Sequence, residues 1–183
     1  MNNPTENAID ECWTDSGSIH PELIASRNLI YTPCEFKCST PIPESESAEY
    51  GAYIFKLNSA NVRFRVAKIT PTKIGQFVTL WKRVENKSIQ PYDLADEIDL
   101  FIVVTRKGDN LGQFIFSQSV LHKHDVISSN NNGGKRAIRV YPPWDVAVNK
   151  QAKKTQEWQL EYFLEMPQNK PIDYARAQML YSV

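Results

Sequence analysis

The feature that most constrains the fold is an uninterrupted apolar run at residues 99–106, DLFIVVTR. A strand that is apolar in nearly every position must be covered on both faces, because neither face can be left to water. Turn-forming residues follow at 107–110, and residues 111–117, LGQFIFS, predict a second strand. The sequence therefore predicts a hairpin within a sheet that has further structure packed on both sides.

Another hairpin is predicted earlier in the chain. Residues 49–57, EYGAYIFKL, are rich in aromatic and aliphatic side chains, and residues 58–61 form the turn. Residues 62–70, VRFRVAKIT, alternate in polarity, which places Arg63 and Arg65 together on one face of the strand. A further strand is expected where KRAIRVY alternates before two prolines.

Helical patterns predict four helices, and a further short helix is expected to start at residues 119–122. The four are a short one from Pro21, one that starts at Thr70 or Thr72 and runs to Arg83, the longest at 149–166, and a short one at 174–181.

These elements predict an α+β (mixed α/β) fold with a central, largely antiparallel sheet flanked by helices. A restriction-endonuclease-like core is one version of that fold. The length of 183 residues suits one domain, which we place at residues 21–183 after a weakly ordered lead-in at residues 1–20.

The chain has no net charge at pH 7, but its charges are segregated along the sequence. Residues 1–22 and 84–99 are acidic, whereas residues 61–83 carry cations and no acid. Guanidinium and ammonium groups without acids nearby in the sequence predict an anion-binding surface, and backbone amides at the start of the predicted helix would add to it. The cations of this segment are Arg63, Arg65, Lys68, Lys73, Lys82 and Arg83.

A second basic segment, GGKRAIRVYPPW, supplies Lys135, Arg136 and Arg139. Tyr141 and Trp144 could stack on a base, as aromatic side chains do in proteins that bind single strands. The alternative is that both rings only cover the core, and for Trp144 the core role is favoured.

The long helix carries a polar stripe that is a weaker candidate for ligand contact, since such faces are usually just solvated. Its members are Gln151, Lys154, Thr155, Gln159 and Tyr162.

Metal and catalytic motifs are sparse. His122 and His124 lie beside Asp125, but a loop HxH without further ligands is more often incidental. Cys34 and Cys38 lack two further soft ligands, so reduced thiols are expected rather than zinc, and we assign no metal ligand. The remaining cysteine, at position 12, leaves an odd count, which argues against a disulfide framework.

The N-terminal residues are acidic and lack the apolar core of a signal peptide. No apolar run reaches the roughly 20 residues that span a bilayer. The expectation is a soluble, cytoplasmic protein without a membrane partner.

Five segments together resemble the MepB family: EYGAYIF, FRVAKITPTKIGQFVTLWKR, GQFIFS, GKRAIRVYPPWD and QAKKTQEWQLEYF. The resemblance covers about residues 49–163. Its best-known members are encoded beside a multidrug efflux transporter and its regulator, and the family's biochemical role is poorly defined. The resemblance thus implies a family and a link to drug response, but no reaction.

The first hairpin also resembles the core of PD-(D/E)xK nucleases. Those enzymes hold an acid on one strand and an acid-x-Lys triplet on the next, and the two acids bind Mg²⁺. Here Glu49 would be the first acid and Lys68 the lysine, but the triplet is Val-Ala-Lys, so the second carboxylate is absent. The substitutes elsewhere in the chain are Glu22, Glu35 and Asp99.

The hypothesis that fits best is a protein of nuclease-like fold that binds DNA or RNA and does not cleave it, with no cofactor required. The phosphate-binding residues would be Arg63, Arg65, Lys68, Lys73, Lys135, Arg136, Arg139 and Tyr141. One alternative is a Mg²⁺-dependent nuclease with Glu49 and Lys68 as catalytic residues. Another is a protein that binds a nucleotide or a small organic anion. The sequence leaves the oligomeric state open, and also whether the two basic segments meet.

Overall fold

A computed structural model describes Trp13, residues 18–84 and residues 88–183. Within the described residues the central sheet has six strands, and neighbouring strands are antiparallel except for Ala60–Val66 and Leu100–Lys107, which run parallel. The mixed α+β fold with a largely antiparallel central sheet is thus confirmed. In spatial order the strands are β1 (Ile42–Pro43), β2 (Tyr53–Leu57), β3 (Ala60–Val66), β8 (Leu100–Lys107), β9 (Asn110–Ser117) and β11 (Phe163–Glu165).

Side chains of β8 are buried at positions 100–105, as the apolar run predicts. They separate two clusters of buried residues, one on each face of the sheet. Ile102 and Val104 belong to the cluster that the helices at 21–26 and 174–181 cover, whereas Phe101 and Val103 belong to the cluster beside the helices at 118–123 and 150–160. The helices are α1 (Pro21–Ser26), α2 (Gln118–Lys123), α3 (Lys150–Leu160) and α4 (Tyr174–Tyr181).

The helix boundaries agree with the sequence except in α3. The first helix begins at Pro21, and the His20 Nδ1 accepts a hydrogen bond from the Glu22 N–H at 3.2 Å. A π-helical turn at Arg27–Tyr31 extends it. The long helix ends at Leu160 instead of residue 166, because Phe163 and Leu164 pair with β9 and complete the edge of the sheet. None of the helices in the described ranges is long and apolar enough to cross a membrane.

The helix predicted at residues 72–83 is wrong, since these residues form strands. The strands outside the central sheet are β4 (Lys68–Thr70), β5 (Lys73–Thr79), β6 (Trp81–Arg83), β7 (Ile89–Pro91) and β10 (Ala137–Val140). A three-stranded sheet has the order β10–β5–β4, and β6 pairs with β7. Gly75 has φ +81°, a left-handed value that a helix interior does not accept. Without a helix start at this point, the expected amide contribution to anion binding is lost.

Two smaller expectations also need correction. The strand predicted at 62–70 divides at Ala67, whose N–H donates to the Val104 carbonyl at 2.9 Å before the chain enters β4. Glu49 lies in a 3₁₀ turn, Ala48–Tyr50, and does not open β2.

Of the predicted lead-in at 1–20, all but Trp13 and residues 18–20 lie outside the described residues, and the single-domain boundary stays a prediction.

Candidate functional site

The two basic segments of the sequence meet in the three-stranded sheet. Arg139 of β10 is in register with Phe77 of β5, and Phe77 is in register with Lys68 of β4. The opposite face of the sheet is closed, because the neighbouring Val78 and Val140 are 0% exposed and belong to the core. The cations therefore share the outward face of a sheet that is anchored from behind.

Arg139 is held in place by neutral groups. Its guanidinium donates to the Gly75 carbonyl at 2.9 Å and to the Thr70 Oγ1 at 2.8 Å, and it lies 5.8 Å from the Phe77 ring centre. No carboxylate of the described residues lies within 4 Å of it. The side chain is thus oriented while its positive charge is left uncompensated.

A groove of about 1110 Å³ runs between α3 and the strands β5 and β10. Its cations outnumber its acids by five to three, and none of the five is within 4 Å of a carboxylate in the described part of the chain. The cations are Lys73, Lys123, Lys135, Arg139 and Lys154, and the acids are Asp125, Glu157 and Glu161.

Two glutamines fix α3 against β10. Gln159 accepts from the Tyr141 N–H at 2.9 Å and donates to the Arg139 carbonyl at 3.0 Å, as a neighbouring strand would. Gln156 donates to the carbonyls of Pro142 and Asp145 at 3.0 and 2.7 Å. Gln159 is 1% exposed, so its place in the polar stripe is structural, whereas Gln151, Lys154 and Thr155 of that stripe line the groove.

Aromatic rings lie at both sides of the groove. Tyr141 packs against Gly75, where an added Cβ would lie 2.6 Å from the Tyr141 Cε1. Trp158 lines the groove from α3, and the His124 ring stacks on it at 3.9 Å. Trp144 packs 5.6 Å from Phe163 at the edge of the core, which confirms its core role.

The histidine pair makes no metal site. Burial lowers the pKa of His124, so its ring is neutral near pH 7 and adds no charge to the groove. The His122 Nδ1 lies 3.2 Å from the Ile127 carbonyl oxygen. Cys34 and Cys38 are free thiols, and burial raises the pKa of Cys38 to about 12. No three histidine, cysteine or acidic side chains of the described residues are grouped to hold a metal ion, and Cys12 lies outside those residues.

Arg63 and Arg65 lie in a separate cavity of about 930 Å³. Arg65 is 1% exposed, and its Nη1 makes a charge-assisted hydrogen bond to Glu44. The Arg63 Nε lies 3.7 Å from the other Glu44 oxygen. Lys82 and Arg83, at the same cavity, pair with Asp96 and Glu46.

The basic segment is therefore not acid-free in three dimensions. Acids at 44–49, which lie up to 37 residues away along the chain, approach it from one side. The pairs are Glu44 with Arg65, Glu46 with Arg83 and Glu49 with Lys68. Of the eight residues predicted to bind phosphate, the groove is lined by Lys73, Lys135, Arg139 and Tyr141.

Glu49 and Lys68, the pair that resembles part of a nuclease site, form an ion pair, but none of the candidate second acids takes part in it. The Lys68 Nζ lies 3.0 Å from the Glu49 Oε2; the Glu49 side chain is exposed and the Lys68 side chain is partly exposed. Glu22 instead binds Arg106, with 2.8 Å between Oε2 and Nη2, and the Asp99 Oδ2 accepts from the Asn61 N–H at 2.7 Å. Glu35 makes no ion pair with any described residue.

Sequence reasoning missed two groove residues and predicted phosphate contact for one residue, Arg136, that lies outside the groove. Lys123 was hidden because α2 is short and carries no basic cluster, and Trp158 was indistinguishable from a core residue of α3. Arg136 is exposed and does not line the groove.

Comparison with known proteins gives one family and one solved structure. The sequence profile of the MepB-like family matches residues 44–165. A solved structure titled "Crystal Structure of MepB" is 32% identical, with a TM-score of 0.70 over 82% of this chain and 99% of that one. No curated protein matches the chain.

Proposed function

The chain belongs to the MepB-like family, and we propose that it binds nucleic acid through the groove between α3 and β10 without cleaving it. The observation that carries the proposal is the set of five groove cations, none of which has an acid partner among the described residues. They come from β5, α2, β10 with the loop before it, and α3, so charges spread along the sequence converge on one surface. We place this activity in the cytoplasm.

Phosphate groups are the ligands that such a surface fits. Lysine ammonium groups give point charges, and the Arg139 fork donates in a fixed plane. A nucleic acid that neutralises these cations releases counterions, which makes affinity fall steeply with salt. Tyr141, at the same groove, offers a ring on which an unpaired base can stack.

The charge balance separates the groove from the Arg63–Arg65 cavity. That cavity is lined by four cations and four acids, and each of the four cations lies within 4 Å of a carboxylate. Carboxylates there already pair with the guanidinium and ammonium groups that a phosphate backbone would contact. Arg63, Arg65 and Lys68 are therefore weaker candidates for backbone contact than the groove residues.

A Mg²⁺-dependent nuclease is less well supported, because the Lys68–Glu49 pair belongs to no group of three acidic, histidine or cysteine side chains among the described residues. Mg²⁺ sites need several oxygen ligands, and a single exposed carboxylate does not build one. A mononucleotide or a small organic anion linked to drug response carries fewer negative charges than the five cations of the groove, so it would leave part of the groove's positive charge unneutralised. Both alternatives are outcomes of the test below.

The test removes three groove cations whose side chains make no hydrogen bond or ion pair with any described residue. K73Q/K135Q/K154Q is compared with K37Q/K56Q/K170Q, which loses the same charge on surfaces away from the groove. Binding of labelled single- and double-stranded oligonucleotides is measured across NaCl concentrations. We expect the groove variant to reduce the slope of log K against log[salt] by about 2, since each phosphate contact contributes about 0.7 to 0.9.

The control variant should keep the wild-type slope within about 0.5. Equal losses in both variants, or no wild-type binding at low salt, would refute the proposal. Incubation of the same substrates with Mg²⁺ or Mn²⁺ tests cleavage, and cleavage that Lys68→Ala abolishes would establish the nuclease instead. Competition by nucleotides at low concentration would favour the small-ligand alternative.

A further inference from the structure

Aromatic rings on the α3 side of the groove form a column that begins in the core. Phe116, which is 0% exposed, lies 5.4 Å from the Trp158 ring. The His124 ring stacks on the same indole at 3.9 Å, with an angle of 7° between the two planes. Both His124 and Trp158 are partly exposed and line the groove. The imidazole is therefore a flat ring at the groove surface whose support reaches back to a buried side chain.

Two groove cations lie close to this ring. Burial is the largest cause that lowers the pKa of His124, and the ammonium groups of Lys123 and Lys135 lower it further. The carboxylates of Glu161 and Asp125 raise it, but the net shift of the pKa is downward. An ammonium group changes the pKa of an imidazole only from nearby, so phosphates bound to Lys123 and Lys135 would lie near the ring as well.

A flat ring beside cations fits an unpaired nucleotide. One face of the imidazole contacts the indole, and the face that points away from it has no other aromatic ring of the described residues stacked on it. In a duplex the faces of each base are covered by the neighbouring base pairs, so only an unpaired base can stack on a side chain. Tyr141 lies on the β10 side of the same groove, which gives a single strand one stacking ring on each wall.

We propose that the groove selects single-stranded nucleic acid and that one unpaired base stacks on the His124 ring, an inference that rests on the proposed function. Lys123 and Lys135 bind the phosphates that flank this base. Trp158 is a positioning residue, because it holds the imidazole plane through the stack and does not itself contact the base. The cations thus supply affinity for any nucleic acid, and the ring supplies the preference for an unpaired strand.

The experiment compares His124→Ala with His122→Ala, a matched control because His122 is exposed and does not line the groove. Fluorescence anisotropy measures the binding of an unstructured single strand and of a duplex of equal length across NaCl concentrations at pH 7.5. We expect His124→Ala to weaken single-strand binding by roughly 5- to 150-fold, the range for one stacked base, and duplex binding by less than about twofold. The slope of log K against log[salt] should stay unchanged, because the ring is neutral at this pH.

Two further variants separate stacking from packing. His124→Phe keeps a flat ring and should bind the single strand within about threefold of wild type, whereas His124→Leu fills a similar volume without a π-face and should lose as much as His124→Ala. The leucine variant also replaces the alanine variant if the latter does not fold.

Three results would overturn this inference: equal losses for single strand and duplex, full single-strand affinity in His124→Leu, or a wild-type preference for the duplex. The groove proposal would survive each of them, because K73Q/K135Q/K154Q tests it through the salt dependence. If the wild-type chain binds no nucleic acid at low salt, both proposals fail together.

Discussion

Gly75 shows at the scale of a single residue why residues 72–83 form strands. Ile74, Phe77 and Val78 fit a helical period equally well, and the hydrophobic pattern alone predicts the wrong element. The φ of +81° at Gly75 and the Tyr141 ring packed on it decide the outcome. A contact with a residue so far along the chain is not visible to a local pattern.

Replacement of Gly75 by alanine should therefore lower the free energy of unfolding by more than backbone strain alone would. The φ of Gly108, +58°, is also left-handed, but nothing lies within 4 Å of a Cβ there. We expect Gly108→Ala to lower the free energy of unfolding by about 1 kcal/mol, and Gly75→Ala by about 2 to 3 kcal/mol because the Tyr141 ring must also move. Urea denaturation measures both, and equal losses would show that the ring contact has no energetic weight.

Tyr141 has a second role if it stacks on a base. Tyr141→Phe keeps the ring and should keep single-strand affinity, whereas Tyr141→Leu should lose about 1 to 3 kcal/mol of it. Fluorescence anisotropy with a labelled single strand measures the change. Equal affinity in the leucine variant would limit Tyr141 to packing on Gly75.

At the scale of elements, Gln159 determines how α3 and β10 form the two walls of the groove. Its amide bonds both the N–H of Tyr141 and the carbonyl of Arg139, so the helix takes the place of a fourth strand at the sheet edge. From the sequence alone, the polar stripe of α3 is indistinguishable from a solvated helix face. Burial of this one member changes its role, and sequence polarity does not report burial.

Gln159→Ala should leave two backbone groups of β10 without partners. We expect the free energy of unfolding to fall by about 2 kcal/mol. Gln151→Ala, on the exposed part of the same helix, should change it by less than about 0.5 kcal/mol. Denaturant unfolding followed by tryptophan fluorescence distinguishes the two. A loss below about 0.5 kcal/mol in Gln159→Ala would contradict the bridging role.

At the scale of the whole molecule, a buried carboxylate links loops that are distant in the sequence. The Asp93 carboxylate accepts from the Ser128 hydroxyl at 2.6 Å and from the N–H groups of Ala95 and Asn131 at 3.0 and 2.9 Å. The Ser128 bond is the largest cause that lowers the pKa of Asp93 to about 2, and the two N–H bonds follow. The ionised form is therefore favoured by folding.

Stability should depend on Asp93 in acid. Because the folded pKa is below the ordinary value of 3.8, the contribution is complete above about pH 4 and is lost as the pH falls through 2. Asp93→Asn should flatten the loss of stability between pH 4 and 2, whereas Asp109→Asn, at the exposed β8–β9 turn, should not. Thermal unfolding across that pH range measures the slopes, and parallel wild-type and Asp93→Asn curves would contradict this assignment.

The sequence predicted four of the six strands of the central sheet and the candidate site only in part. The apolar run of β8 and the alternation of β3 are local signals; β8 lies where its pattern places it, whereas the strand predicted at 62–70 ends at Val66 and continues as β4. Lys73, Lys135 and Arg139 were found because charge segregation along the chain is visible in the sequence, and Tyr141 was found as an aromatic residue next to them. The pairing of residues 44–49 with Arg65, Lys68 and Arg83 was not, because it depends on how the chain folds back on itself.

The chain leaves the central sheet twice to build the groove. Residues 67–99 form β4 to β7 between the neighbouring strands β3 and β8, and residues 118–162 form α2, β10 and α3 between the neighbouring strands β9 and β11. The β5–β10 pairing joins these two excursions, and such distant pairing forms late because its loop entropy is lost before its contacts are gained. In kinetic terms, the central sheet can form before the groove exists. A ligand that spans both walls would then act mainly on the last step of folding and the first step of unfolding.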